Sequence, residues 1–301
     1  MEKYGCTVRK IRLSKGFSQK EIYTGILSKS YAIDFEKGRY DIKFSLMLQI
    51  LQRLMISVDE LLLVHRDFQK VTGHKALGDI DAQKFQSNQK YAKSRVMHLQ
   101  KSWQEKKTLM SKIEYAQIIA INELYFNTEY EHSKDIQWAK QVIQRYLFDI
   151  ETWTFEEFRL FSNMSFLFEN SKIRTDLFLR AWKSLEKYKH HSDFSVYLAH
   201  LLANNLFHLI YTSQFTYAKK ALDRLSELSR EEEMLTWSVI TLFLNGFYLY
   251  ATGKIQQGIK EIEKAKQIYS LTDRILMIQQ IDQGLSLLQK KQDDPAFKKW
   301  N

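Results

Sequence analysis

The 301-residue chain reads as all-α, a short helical head followed by a body of repeated helix pairs. Three observations carry that reading. Proline occurs once, at Pro295, and glycine only ten times, so helix breakers are scarce. Apolar residues make up 45% of the chain and aromatics 14%, too much for a disordered polymer. Four asparagines, Asn122, Asn163, Asn204 and Asn245, follow one another at a fixed step of 41 residues, although the chain holds only nine. A constant step of that length marks a stacked array of helical repeats.

The head comes first in the chain. Residues 5–15 place Val8 and Ile11 at helical spacing, with Arg9, Lys10 and Arg12 on the other side, and Gly16 ends the helix. Ser18 caps a second helix and Glu21, three residues on, completes a capping box. That helix is short and stops by Gly25. Ser28 caps a third helix, from Lys29 to about Lys37, before Gly38. Residues 43–54 form a fourth, with Leu46, Ile50 and Leu54 on one face. Ser57 and Glu60 open a fifth with a second capping box. A short helix, a tight glycine turn and a second short helix make the layout of a helix-turn-helix.

The runs VRKIRLSKGFSQKEI, SKSYAIDFEKGRYDI and SVDELL resemble the Cro/repressor type of helix-turn-helix. The wording GILSKSYAIDFEKG is similar to the Rgg (MutR-like) regulators of Gram-positive bacteria. In that family a long all-helical, peptide-sensing domain follows the head, so the resemblance spans nearly the whole chain. Tyr23 departs from the helix-turn-helix pattern, which usually places a small residue there.

Charge supports a DNA-binding head. Residues 1–112 carry a net +11 and residues 113–301 a net −1. Such asymmetry fits a polyanion-binding head on a neutral body. The third helix would enter the major groove by its N-terminal end, with Lys29, Ser30 and Tyr31 as exposed candidates. Asp34 suits a surface ion pair or a cap better than a cytosine contact, and Ser28 suits a cap. Arg12, Lys37, Arg39 and Lys43 are candidate phosphate clamps. Family resemblance and helix-end geometry add Gln19 as a phosphate contact. A solvated surface charge is the competing reading for each cation taken singly.

Residues 67–75 read as a linker, dividing a head at 1–66 from a body at 76–301. Each 41-residue unit reads as two antiparallel helices, the first bearing the asparagine and the second bearing Ile136, Leu177, Ala218 or Ile259. The stretch 245–269 resembles a tetratricopeptide repeat, whose usual period is 34. In such arrays the first helices line the concave side. Three residues before each asparagine stands an aliphatic (Ile119, Leu160, Leu201, Leu242) and three after it an aromatic (Tyr125, Phe166, Phe207, Tyr248). Each amide therefore sits in an apolar stripe and needs a partner. That partner is either a neighbouring helix or buried water, or the main chain of an extended peptide.

The Rgg resemblance implies a short hydrophobic pheromone peptide as the ligand and favours the groove. The candidate peptide contacts are Asn163, Asn204, Asn245 and Asn122, with Asn205 one residue off the ladder. Arg159, His200 and Tyr248 join them, Arg159 as a partner for a peptide carboxylate. Arg159, His200 and Thr241 share a column four residues before the ladder.

A lone cysteine, Cys6, excludes an internal disulfide and fits a reducing, cytoplasmic compartment. The N-terminus has no apolar signal segment. Residues 234–252 are uncharged and long enough to span a bilayer, but the sister repeats carry charge at the same register, so a repeat helix is expected and no membrane partner. His190–His191 lacks the spacing of a metal site, and no glycine-rich phosphate loop or nucleophile–base motif is present. No cofactor, no metal and no enzymatic activity are expected. The implied whole is a peptide-controlled transcription regulator, acting as a homodimer on a two-half-site operator near a promoter, with RNA polymerase as a further candidate partner. Two alternatives stay open: a regulator whose helical body is purely structural, and a repeat-based protein-interaction scaffold.

Overall fold

The computed structural model describes residues 3–68, 82–127, 129, 132–168, 171–231 and 234–293. Most of the expected linker, together with Pro295, lies outside them. Among the described residues the chain is helical, with no strand. It divides into two compact units, Met1–Asp81 and Ala82–Asn301.

The first unit holds five helices: α1 (Tyr4–Ser14), α2 (Gln19–Tyr23), α3 (Lys29–Glu36), α4 (Phe44–Leu54) and α5 (Val58–His65). Local chemistry sets their starts. Ser18 and Glu21 form a reciprocal capping box on α2, and Ser57 and Glu60 form another on α5. Ser28 Oγ accepts from the Tyr31 N–H and caps α3. Gly16, Gly25 and Gly38 adopt positive φ after α1, α2 and α3. Val8, Ile22, Phe35, Ile50 and Leu54 close one core.

The second unit begins with α6 (Ala82–Ser87), α7 (Gln89–Lys106), α8 (Leu109–Phe126) and α9 (Lys134–Asp149). Trp103, Tyr115 and Trp138 stack between α7, α8 and α9, with ring centroids 5.4 Å apart. Three further hairpins follow: α10 (Phe155–Met164) with α11 (Ser171–Leu185), α12 (Phe194–Tyr211) with α13 (Phe215–Leu228), and α14 (Leu235–Ala251) with α15 (Ile255–Leu271). A last helix, α16 (Ile275–Asp293), packs on α14 and α15. The first helices neighbour one another in the order α10, α12, α14, α16. The expected first-helix placement of all four asparagines holds, in α8, α10, α12 and α14. The uncharged run is α14, and among the described residues no helix is long and apolar enough to cross a membrane.

The hairpin α14–α15 is drawn tight by two glycines. A Cβ on Gly258 would lie 2.6 Å from the Gly246 carbonyl oxygen and 2.7 Å from the Tyr250 nitrogen. Backbone meets backbone there, so no rotamer change relieves the clash. Gly258→Ala is expected to destabilise the body by about 1–3 kcal/mol. Thermal unfolding followed by circular dichroism measures it, and an unchanged midpoint would contradict this packing.

Candidate functional sites: the recognition helix and an uncharged groove

At the N-terminal end of α3, Lys29, Ser30 and Tyr31 are exposed as expected. Tyr31 stacks on Tyr40 and donates its hydroxyl to the Asp41 carbonyl at 3.1 Å. Lys37 and Lys43 are exposed, whereas Arg39 pairs with Asp34 at 2.8 Å. Lys29, Ser30 and Tyr31 stand at an exposed helix start, where free N–H groups and the dipole favour a phosphate, whereas Lys37 caps the opposite end of α3.

Arg12 is not among them. Its guanidinium is buried, and its Nε and Nη2 donate to Glu36 Oε1 and Oε2 at 2.6 and 2.8 Å. Nη1 donates to the Phe17 carbonyl at 2.7 Å. Gln19 is likewise committed inward, donating Nε2 to Glu36 Oε2 at 2.7 Å. The expected phosphate-contact role of Arg12 is corrected, since its guanidinium is taken up inside the head; Arg12 and half-buried Gln19 tie α1 and α2 to α3. The Tyr23 departure from pattern has the same cause, because its hydroxyl donates to Glu36 Oε1 at 2.7 Å. Burial, with the adjacent carboxylate, pushes the Tyr23 pKa up. Burial alone would raise the Glu36 pKa, but hydrogen bonds from Arg12, Tyr23 and Gln19 outweigh it and hold the carboxyl below its ordinary range.

In the body, the structural repeat is not the asparagine step. Ser213 and Gly253 occupy equivalent positive-φ positions in the turns after α12 and α14, 40 residues apart. The bonds around them match at that same step: Gln214 N–H to Leu209 O at 2.8 Å and Lys254 N–H to Leu249 O at 2.9 Å. Thr212 and Thr252 each donate a hydroxyl one turn back, to His208 O and Tyr248 O, at 2.8 Å. A slip of one residue turns a helical position by about 100°. Asn204 and Asn245 therefore face different ways.

A groove of about 530 Å³ lies among α12, α14 and α16. Its lining repeats at the 40-residue step. His200, Ile240 and Gln280 form one row, and Ala203, Phe243 and Gln283 the next. Asn204, Leu244 and Gly284 form a third, and Phe207, Phe247 and Leu287 a fourth. Trp237 and Met277 stand at one end. None of the lining residues is Lys, Arg, Asp or Glu. His200 meets the Trp237 ring edge-on at 4.6 Å, and burial holds its pKa below the ordinary imidazole value. The groove is neutral at pH 7, with amides at its two walls and rings between them. It is suited to an uncharged ligand with apolar side chains and main-chain hydrogen-bonding groups.

Of the expected peptide contacts, only Asn204 and His200 line this groove. Asn204 is exposed, with one long contact from Nδ2 to the Ser162 carbonyl at 3.5 Å. Asn205 is fully buried and engaged within the body, accepting from Arg174 Nε at 3.3 Å and donating to Leu201 O at 2.9 Å. Its expected ligand contact is thereby excluded. Asn245 and Thr241 line a separate polar cleft of about 370 Å³ between α13 and α14, with Lys219, Asp223 and Arg230. Tyr248 packs edge-on against Phe215. Asn163 is exposed near the end of α10, and Arg159 is paired with Glu156. Asn122 in α8 is half-buried, its Oδ1 enclosed without a partner. The residues missed from sequence include Ala203, Trp237, Phe243, Phe247, Gln283 and Gly284. The matching turns after α12 and α14 were the signal that could have found them.

The family described as "HTH-type transcriptional regulator Rgg, C-terminal domain" matches residues 96–280. The chain belongs to the Rgg family. Among solved structures, this Rgg chain is similar to a candidate transcriptional regulator from Listeria monocytogenes EGD-e. Identity is 28%, covering 97% of this chain and 99% of that one, with a TM-score of 0.79. The SHP pheromone receptor Rgg2 of Streptococcus dysgalactiae shares the fold at 22% identity, covering 94% and 99%, with a TM-score of 0.77. The PrgX/cCF10 complex shares it at 16% identity, covering 96% and 93%, with a TM-score of 0.71. No curated protein matches the chain.

Proposed function

We propose that this Rgg-family protein is a DNA-binding transcription regulator controlled by a short hydrophobic peptide held in the α12–α14–α16 groove. The observation that carries the proposal is that groove: three successive first helices present the same rows, and none of the lining residues is charged. Burying a charge without a partner costs several kcal/mol, so an uncharged peptide is selected. The structural neighbours include a pheromone receptor and a bacterial peptide pheromone/receptor complex, which supports the same reading. The head, residues 1–66, binds the DNA. The segment 67–75 links it to the ligand-binding and dimerising body, 76–301. The regulator acts in the cytoplasm as a homodimer on two half-sites, and ligand preference for one dimer arrangement alters DNA occupancy or polymerase contact.

Trp237 lies in the groove and Trp153 is fully buried elsewhere. Titration with uncharged hydrophobic heptapeptides is therefore expected to change Trp237 fluorescence. A silent, non-binding protein across a broad peptide set would favour a purely structural body. On the DNA side, Lys29→Ala is expected to weaken operator binding while the head stays folded. Losing one phosphate contact reduces the slope of log K against log salt by about 0.9. Fluorescence anisotropy across a salt series reads this, and an unchanged slope removes Lys29 from the interface.

A further inference from the structure

We infer that the groove contains one anchor pocket, floored by Ala203, that admits a single large uncharged side chain of the ligand. This rests on the peptide reading above and adds the position that sets specificity. In the row Ala203, Phe243 and Gln283, α12 contributes only a methyl group where α14 and α16 contribute long side chains. His200 and Phe207 stand about one turn to either side of Ala203 on the same helix face.

Both ends of the recess are defined. At one end Phe207 and Phe247 pack edge-to-face, ring centroids 5.5 Å apart, against Gly284 of α16. A Cβ on Gly284 would lie 2.9 Å from Phe247 Cζ and 3.2 Å from Phe207 Cε2. The absent side chain is thus what lets the rings reach the α16 backbone and close that end. At the other end, Trp237 meets His200 edge-on. Between the ends the walls are aromatic and aliphatic, and the groups able to hydrogen-bond are uncharged: the Asn204, Gln280 and Gln283 amides and the His200 imidazole. A leucine- or phenylalanine-sized side chain fits this chemistry, with its own peptide unit against Asn204. A lysine or glutamate side chain would lose its water to an uncharged wall.

N-acetyl-phenylalaninamide, N-acetyl-leucinamide and N-acetyl-lysinamide test the pocket directly, because each presents one side chain on one blocked peptide unit. Binding to the full-length protein is read by ligand-observed NMR, with Ala203→Leu and the milder Ala203→Val as variants. The phenylalanine and leucine probes are expected to bind in the millimolar range, with the lysine probe at least tenfold weaker. Ala203→Leu is expected to abolish their binding. Ala203→Val is expected to weaken it severalfold at an unchanged unfolding midpoint, which guards against misfolding of the larger variant. Equal binding to wild type and to a folded Ala203→Val, or equal binding of the lysine probe, overturns the anchor. If the amides bind in this way but no peptide does, the anchor stands and the peptide reading falls. If heptapeptides bind indifferently to both substitutions, the peptide reading stands and the anchor falls.

Discussion

Arg12→Ala is expected to unfold the head, and through unfolding to abolish DNA binding. The head is small, and a domain of this size has little stability to spare. Removing one partner of a buried ion pair strands the other, at a cost of about 3–5 kcal/mol. Here the stranded group is Glu36, 2% exposed, left with only the Tyr23 hydroxyl and the Gln19 amide as donors. Phe17 O also loses its Arg12 donor. The same cluster predicts an acid sensitivity. The Glu36 carboxyl has a folded-state pKa below its ordinary value of 4.5. It therefore contributes stability above that value, and the contribution drains away as pH falls below it toward the folded-state pKa. Glu36→Gln is expected to flatten this part of the stability–pH profile while lowering stability at neutral pH. Urea denaturation between pH 3 and pH 7, followed by circular dichroism, checks both. An Arg12→Ala head that unfolds at the wild-type midpoint and still fails to shift DNA would return Arg12 to the interface.

The contrast between the helix caps and Arg12 shows where sequence reading succeeds. The capping boxes at Ser18–Glu21 and Ser57–Glu60 were legible because their physics spans three residues. The α3 start was legible for the same reason. Arg12 was misread because its partner lies 24 residues away, and an arginine beside Arg9 and Lys10 reads as surface. Its helix neighbours Val8 and Ile11 are the core-facing ones, and Arg12, one turn after Val8, stands about 40° beside their arc and is buried with them. In the body, all four asparagines do fall on first helices, yet the register was one residue out. Helices α12 and α14 are packed on more than one side, by their hairpin partners and by one another. Apolar residues then surround most of each helix, and a stripe three residues either side of an asparagine no longer distinguishes groove from core. The caps carry that information, because a turn fixes where a helix ends regardless of how it is packed.

The register difference makes opposite predictions for two adjacent residues, Asn204 and Asn205. Asn205→Ala is expected to destabilise the body by about 1–3 kcal/mol, since it removes a hydrogen-bond acceptor from an enclosed arginine. Arg174 has no carboxylate partner among the described residues. Its acceptors are Asn205 Oδ1, the Asn204 carbonyl and Ser165 Oγ, at 3.0–3.3 Å. Burial pushes its pKa down to about 10, so the guanidinium stays charged at neutral pH and depends on those neutral oxygens. Asn204→Ala deletes an exposed amide with one long contact, and a change within about 0.5 kcal/mol is expected. Peptide affinity should behave the other way. Losing the Asn204 amide removes one net hydrogen bond to the ligand, worth about 1 kcal/mol or roughly fivefold in Kd. Thermal unfolding and peptide titration on the two variants, side by side, decide the matter. A stable Asn205→Ala protein that has lost its ligand, beside an Asn204→Ala protein that keeps it, would move the binding face to the row of Asn205 and Asn245 and away from the row of Asn204, Leu244 and Gly284.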